Sequence, residues 1–379
     1  MMHTARMVFE VTRAQVVAYR IAAHGFDRRT PTATELAVLD LGVQDTRGSA
    51  SVALAARLPA TAAGDPVAED GPLALLWSFR GAPHLHRRDD LAALSAALWP
   101  RGDADAMARL STERSALKAA GVGGVEAFTA VATALRAAVS GPTPKGEVSA
   151  AVTAALPDAY SYQCRGCGAT HVYGGILQQV GLPAGVRHRP GSSPLLLTPL
   201  ENRPPVPEQA AGASAVADAY LRLHGPATPA EFAGYLGTSQ AEVRPAWPAD
   251  LVEVRVDGRR AWLPDAEVAA LRRAEAPELT RLLPPLDPFL QARDRGTLVP
   301  DPLLQKEVWR VLGNPGALLH NGEIAGTWRS KGSGRRRLDV SVRPFARLSR
   351  AGRAAVEAEA DRLAAVRGFT EVGTAIEQD

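Results

Sequence analysis

Apolar positions recur along the chain with two periods, and the places where one gives way to the other divide it. From Val125 to Val139 and from Ala215 to His224 they return every three or four residues, the spacing of a helix with one buried face. Both stretches run into a Gly-Pro turn: residues 141–148 read GPTPKGEV and residues 225–232 read GPATPAEF. Glycine ends the helix, proline and threonine make the turn, and Thr143 or Thr228 is placed to cap the next helix. Glu147 and Glu231 fall in the first turn of that helix, where its dipole favours acid. The chain therefore contains an internal repeat.

Beyond the second copy, AEFAGYLGTSQAEVRPAW (230–247) predicts a short helix, a turn at Gly237 and another helix. LVEVRVDGRRAWLP (251–264) then alternates apolar and polar residues around Asp257-Gly258, a two-residue hairpin signal. Helix, helix, helix, hairpin is the order of a winged helix, a helix-turn-helix whose hairpin forms the wing. The first copy fits the same order. VSAAVTAALP (148–157) is a helix, THVYGGILQQVG (170–181) a recognition helix, and AGVRHRPGSSPLLL (184–197) a wing carrying Arg187, His188 and Arg189.

A further copy without the Gly-Pro signature opens the chain. TRAQVVAYRIAAHG (12–25), with Thr12 as cap, TATELAVLDLGV (32–43) and SASVALAARL (49–58) are its expected helices. LALLWSFRGAPHLHRRDDL (73–91) is its wing, with Arg80, His84, His86, Arg87 and Arg88. The end of the chain differs. RLLPPLDPFL (281–290) is proline-rich and apolar, Asn321-Gly322 separates two strand-like runs, and residues 349–366 form a long helix rich in Ala, Arg and Glu. The expected architecture is α+β. Winged helices occupy 1–100, 112–198 and 213–272, and a β-rich, barrel-like domain over 281–370 is closed by a terminal helix. Linkers are expected near 101–112, 199–212 and 272–282, with disorder in the last few residues.

Composition adds partner and compartment. The net charge is only +3, but 39 of the 43 basic residues are arginine, the side chain suited to bidentate phosphate and base contacts. Part of that bias is the signature of GC-rich coding, so local clusters say more than the total. The run Arg329, Lys331, Arg335, Arg336 and Arg337, interleaved with Gly and Ser, is the densest and suits phosphate contact. Arg80, His84, His86 and Arg87 in one wing and Arg187 and Arg189 in another are further DNA-contact candidates.

No apolar run reaches the roughly 18 residues of a membrane span, and no secretory signal opens the sequence. Two cysteines cannot build a disulfide framework, so a cytoplasmic, nucleoid-associated monomer acting on double-stranded DNA is expected. Cys164, Cys167 and His171 form C-x₂-C-x₃-H, a soft-ligand spacing whose fourth member would have to be His188. Lacking a second pair, the motif is read as thiols without a metal, and no cofactor is expected. The phosphate-binding GxxxxGK[ST], GxSxG and HExxH motifs are absent. The remaining candidate chemistry is Gln44, Asp45 and Thr46, an amide beside a carboxylate at a helix boundary. Helix capping is the plainer role for Asp45.

Several segments together resemble the winged-helix proteins that include the AlkZ-type bacterial DNA glycosylases. They are LDLGVQDT (39–46), WSFRGAPHLHRRDDL (77–91), CRGCGATHV (164–172), YLRLHGPATPAEFAGYLG (220–237), VDGRRAW (256–262), RLLPPLDPFL (281–290) and GEIAGTWR (322–329), in the same order over nearly the whole chain. The resemblance implies three winged helices arranged in a C, a β-rich domain, and hydrolysis of the N-glycosidic bond of bulky alkylated purines without metal or cofactor. In some members it implies crosslink unhooking or self-resistance. It also implies a Gln-Φ-Gln or Gln-Φ-Asp motif whose last residue holds the attacking water. Here Gln44 fills the first position, Asp45 the second, and Thr46 departs at the third. A non-enzymatic DNA-binding regulator or lesion shield is the alternative, and a protein-interaction scaffold a more distant one.

Overall fold

The computed structural model describes residues 9–61 and 65–377. It opens with strand β1 (Phe9–Val11) and helix α1 (Arg13–Ala23), capped by Thr12 in a reciprocal box with Gln15. The next expected helix, over 32–43, does not form. Two 3₁₀ turns, Ala33–Glu35 and Ala37–Asp40, lead instead into the two-residue strand β2 (Val43–Gln44). Packing explains the change: Leu36, Val38, Leu39 and Leu41 are all buried, closer together than one helical face allows. The chain then turns at Gly42, with φ +74°, where an added Cβ would lie 2.2 Å from the His86 ring. Helix α2 (Ser49–Ala55) and strands β3 (Leu73–Trp77) and β4 (Pro83–Arg87) follow, paired in the order β2-β4-β3. Gln44 stands opposite His84.

Helices α3 (Leu91–Leu98), α4 (Asp103–Arg109) and α5 (Glu113–Ala119) come next. Helix α4 occupies ground expected to be a linker, near 101–112. The Asp105 carboxylate accepts from the Arg101 N–H at 3.0 Å and from the Arg109 guanidinium at 2.7 Å, which fixes the start of α4.

The first Gly-Pro repeat gives α6 (Gly124–Ala138), β5 (Thr143–Pro144), α7 (Lys145–Ala155), β6 (Ser161–Gln163), β7 (Thr170–Val172), α8 (Gly174–Gln179), β8 (Val186–His188) and β9 (Leu196–Pro199). Thr143 does not cap α7; its hydroxyl donates to the Gly141 carbonyl at 3.0 Å. The helix expected over 170–181 is shortened, because Thr170–Val172 pair with β6 in an inserted hairpin.

The second repeat gives α9 (Ala213–His224), α10 (Pro229–Leu236), α11 (Gln240–Val243), β10 (Leu251–Val256) and β11 (Arg259–Pro264). Here Thr228 caps as expected, in a reciprocal box with Glu231. Asp257 and Gly258 both take positive φ, the geometry of a tight hairpin turn. The repeats match in detail: β5 pairs with β9, and at the same place Ala227 bridges Trp262.

The chain ends with α12 (Asp265–Arg273), β12 (Thr280–Leu283), α13 (Arg295–Leu298), α14 (Pro302–Val308), β13 (Gly316–His320), β14 (Glu323–Ser333), β15 (Arg337–Pro344), α15 (Arg350–Val366) and β16 (Glu371–Ile376). Strands β12 to β16 form one five-stranded sheet in sequence order. The long helix is therefore not terminal, since β16 returns parallel to β15. The fold is α+β. No helix among the described residues is long and apolar enough to cross a membrane.

Helix α1 packs away from the first wing-like hairpin. Val16 and Tyr19 join the core of β1, β10, β11 and α12, while Val17 and Ile21 join Phe289 and Leu290 near the C-terminal sheet. Two bidentate ion pairs close this junction. Arg57 meets Asp287 at 2.7 Å with both side chains fully buried, and Arg20 meets Asp294 at 2.8 Å. Residues 287–294 are thereby fixed against the N-terminal region.

Candidate active site

Gln44 lies on an edge strand, and its side chain reaches across to the segment that the ion pairs hold. Its Oε1 accepts from Gln291 Nε2 at 3.2 Å; that nitrogen also donates to the Leu286 carbonyl at 3.2 Å, and Arg80 donates to Gln291 Oε1 at 3.3 Å. Gln44, Arg80 and Gln291 line a cavity of about 230 Å³ together with Arg293, Arg295 and Trp309. Three guanidinium groups and no carboxylate face it among the described residues. The cavity therefore favours negative charge, with the side-chain amides of Gln44, Gln291 and Asn314 set among the cations.

The cations are held in place. Arg80 sits at φ +57° in the turn between β3 and β4, a backbone conformation costing a side-chain-bearing residue about 1 kcal/mol. Its guanidinium lies 4.9 Å from the centre of the Tyr235 ring and donates to the Tyr235 carbonyl. Arg295 lies 5.1 Å from the centre of the Trp309 ring. Burial lowers the pKa of Arg293, helped by the positive charge of Arg80, and burial alone lowers that of Arg295.

Asp45 and Thr46 stand differently. The Asp45 carboxylate accepts from Ala50 N–H at 2.9 Å and Gly48 N–H at 3.3 Å, capping α2. Thr46 is exposed, and its backbone N–H donates to Ser49 Oγ at 2.8 Å.

The wing histidines were expected to face DNA, but they are buried. His84 is 2% exposed and His86 1%. His84 Nδ1 lies 2.9 Å from the Ala82 carbonyl, and His86 Nε2 lies 2.9 Å from Ser78 Oγ. Burial drives both pKa values down, that of His86 to about 3, so both rings are neutral near pH 7. Arg87 is likewise committed within the fold, to Asp40, Asp90 and the Leu36 carbonyl. Arg187 is buried beside Glu69, while Arg189 is exposed and pairs with Glu69 at 2.9 Å.

The β14–β15 hairpin matches its expectation as a basic, exposed tip. Arg329, Lys331, Arg335, Arg336 and Arg337 are all exposed. Arg329 donates to the Gly313 carbonyl, Arg337 pairs with Asp339 at 2.8 Å, and Arg336 lies 3.5 Å from Glu371. Cys164, Cys167 and His171 come together on the β6–β7 hairpin. His188, the expected fourth member, is instead buried against Trp77 at a ring separation of 4.6 Å.

Sequence reasoning missed Gln291, Arg293, Arg295 and Trp309. The signal was QARDRG (291–296), three charges close behind an apolar run, overshadowed by the prolines before it.

A fold that sets three cations and three amides around one cavity, with a basic hairpin elsewhere, defines a protein of the class that acts on a polyanion. The chain belongs to the family described as "DNA glycosylase AlkZ-like", whose profile matches residues 36–366. Among solved structures it is similar to the Streptomyces sahachiroi DNA glycosylase AlkZ, at 21% identity and a TM-score of 0.74, over 97% of this chain and 100% of that one. At that identity the likeness is one of fold. No curated protein sequence matches the chain.

Proposed function

We propose that this protein hydrolyses the N-glycosidic bond of bulky alkylated purines in double-stranded DNA, acting as a cytoplasmic monomer. The two Gly-Pro repeats and the N-terminal hairpin region are read as three winged helices in a C, with the five-stranded sheet as the β-rich domain. The matching β5–β9 and Ala227–Trp262 pairings support the repeat. The observation that carries the chemistry is Gln44 on the wall of a cavity lined by Arg80, Arg293 and Arg295.

Chemistry with little acid assistance suits this site. A purine alkylated at N7 is cationic, so the C1′–N9 bond breaks with its electron pair passing to the base and neutralising it. The sugar takes on oxocarbenium character. Water adds its oxygen to C1′ and releases a proton to solvent. The Gln44 carbonyl oxygen has a second lone pair, which accepts from that water and fixes its direction. The guanidinium groups bind the flanking phosphates. Asp45 acts as a positioning residue, holding α2 behind Gln44.

Duplex DNA carrying an N7-alkylguanine tests the reading. Incubation with the protein followed by alkali should give strand breaks at the lesion. A folded sample that binds the duplex but leaves it intact would establish the alternative, a DNA-binding protein or lesion shield. The engagement of both Asp45 oxygens by backbone N–H groups, together with Thr46 at the third motif position, favours that alternative.

A further inference from the structure

We propose that Cys164, Cys167 and His171 bind one thiophilic divalent cation of the zinc class. The two sulfurs and an imidazole nitrogen all lie within 4.8 Å of one another. A tetrahedral zinc ion with bonds of about 2.3 Å to sulfur and about 2.0 Å to nitrogen spaces its ligand atoms by roughly 3.5–3.8 Å. Cys167 Sγ and His171 Nε2 stand 2.9 Å apart, so an ion requires them to separate by well under about 1 Å.

The backbone around the three is shaped for the purpose. Cys164 and Cys167 sit in the loop between β6 and β7, and His171 comes from β7 itself. Cys164 N–H donates to the Ala169 carbonyl at 2.9 Å, and Gly168 N–H returns to the Cys164 carbonyl at 3.0 Å. Gly168, at φ +71°, lets the loop reverse. Gln163 ties the two strands from outside, donating to the Gly168 carbonyl at 2.7 Å and accepting from Thr170 at 2.8 Å.

The hairpin is anchored at its inner end, where Val172 is buried and its N–H donates to Thr153 Oγ1 at 2.8 Å, while residues 165–170 at its tip are exposed. A ribbon of two three-residue strands is below the size that is stable in water on its own. Tyr162 is 42% exposed, and its main apolar contact is a stack on Tyr173 at 5.3 Å. A disulfide between the two cysteines would leave the approach of His171 unexplained, whereas an ion uses all three groups. The fourth position is assigned to water. The ribbon leads through Tyr173 into α8, whose Gln178 lies against Gly81, next to Arg80 of the cavity. The ion would therefore fix the start of α8.

The test uses the full chain purified under reducing conditions. Elemental analysis should find about one zinc per chain, and Co²⁺ added to zinc-stripped protein should produce the near-ultraviolet thiolate-to-cobalt band. Cys164→Ser and Cys167→Ser should each abolish the band, and His171→Ala should shift or weaken it. Circular dichroism identifies any variant that fails to fold. A second measurement needs no variant: Zn²⁺ should slow alkylation of the two thiols severalfold, and a chelator should restore the rate. Absence of the cobalt band, alkylation rates unchanged by Zn²⁺, or a Cys164–Cys167 disulfide in the reduced preparation would each overturn the proposal. None of these readouts depends on glycosylase activity.

Discussion

Gln44 faces the cavity while its neighbour Asp45 faces the helix behind it, so substitutions at the two should separate chemistry from stability. On the proposed reading Gln44 directs the attacking water, so Gln44→Ala should lower base release by about 10²-fold, with the melting temperature unmoved. Asp45→Ala removes a cap and should cost about 1 kcal/mol of stability. Asp45→Asn keeps an acceptor for Ala50 N–H and should stay near wild type in both stability and turnover. If Asp45→Asn instead matched Gln44→Ala in lost activity at unchanged stability, the carboxylate would belong to the reaction and its assignment as a cap alone would fail. At this scale the sequence singled out Gln44, which lines the cavity, but it concealed the other wall. Arg293 and Arg295 have no local pattern linking them to Gln44, because buried ion pairs bring them there. His84 and His86 misled for a different reason. Alternate polar positions on a strand normally face water, but here Gly42 leaves room for the His86 ring to be buried.

Elements announced by turn chemistry were the legible ones. Asp257-Gly258 and Asn321-Gly322 specified two hairpins, and Thr228 with Glu231 specified the start of α10. Elements set by tertiary packing were not. The leucines of 36–41 read as one helical face but are buried all round in 3₁₀ turns, and α4 formed where polar residues suggested a linker. Strand β16 alternates weakly and forms because β15 offers it an edge. The β14–β15 hairpin carries its own prediction. Replacing Lys331, Arg335 and Arg336 together by Ala should weaken duplex binding and flatten its dependence on salt, by up to about 0.9 in log–log slope per lost phosphate contact. Binding titrations at several salt concentrations decide it, and an unchanged slope would remove the hairpin from the interface.

Across the whole molecule, buried charge and buried imidazole set how the fold responds to mutation and to acid. Asp287→Ala leaves Arg57 without its partner at a fully buried position and should cost about 3–5 kcal/mol in denaturant unfolding. His24, His84, His86, His188 and His224 are buried and neutral, with pKa values depressed mainly by burial, to about 3 for His86 and His224 and about 4 for His188. Below the unfolded value of about 6.5 the unfolded chain takes up protons that the folded chain refuses. Stability is thus fully present above that value and falls as pH drops toward the folded values. Each histidine contributes up to about 1.4 kcal/mol per pH unit. Melting temperatures that stayed level from neutral pH down to about 4.5 would contradict this.

The division of the cavity between distant parts of the chain also bears on how the protein is made. Translation delivers Gln44 and Arg80 early, and Gln291, Arg293, Arg295 and Trp309 late. A nascent chain halted before the C-terminal sheet carries one wall and nothing opposite it. Asp287 and Asp294 emerge in that same late segment and lock it to Arg57 and Arg20, which have been waiting in the N-terminal region. On this order of synthesis the cationic cavity is complete only once the late segment has docked.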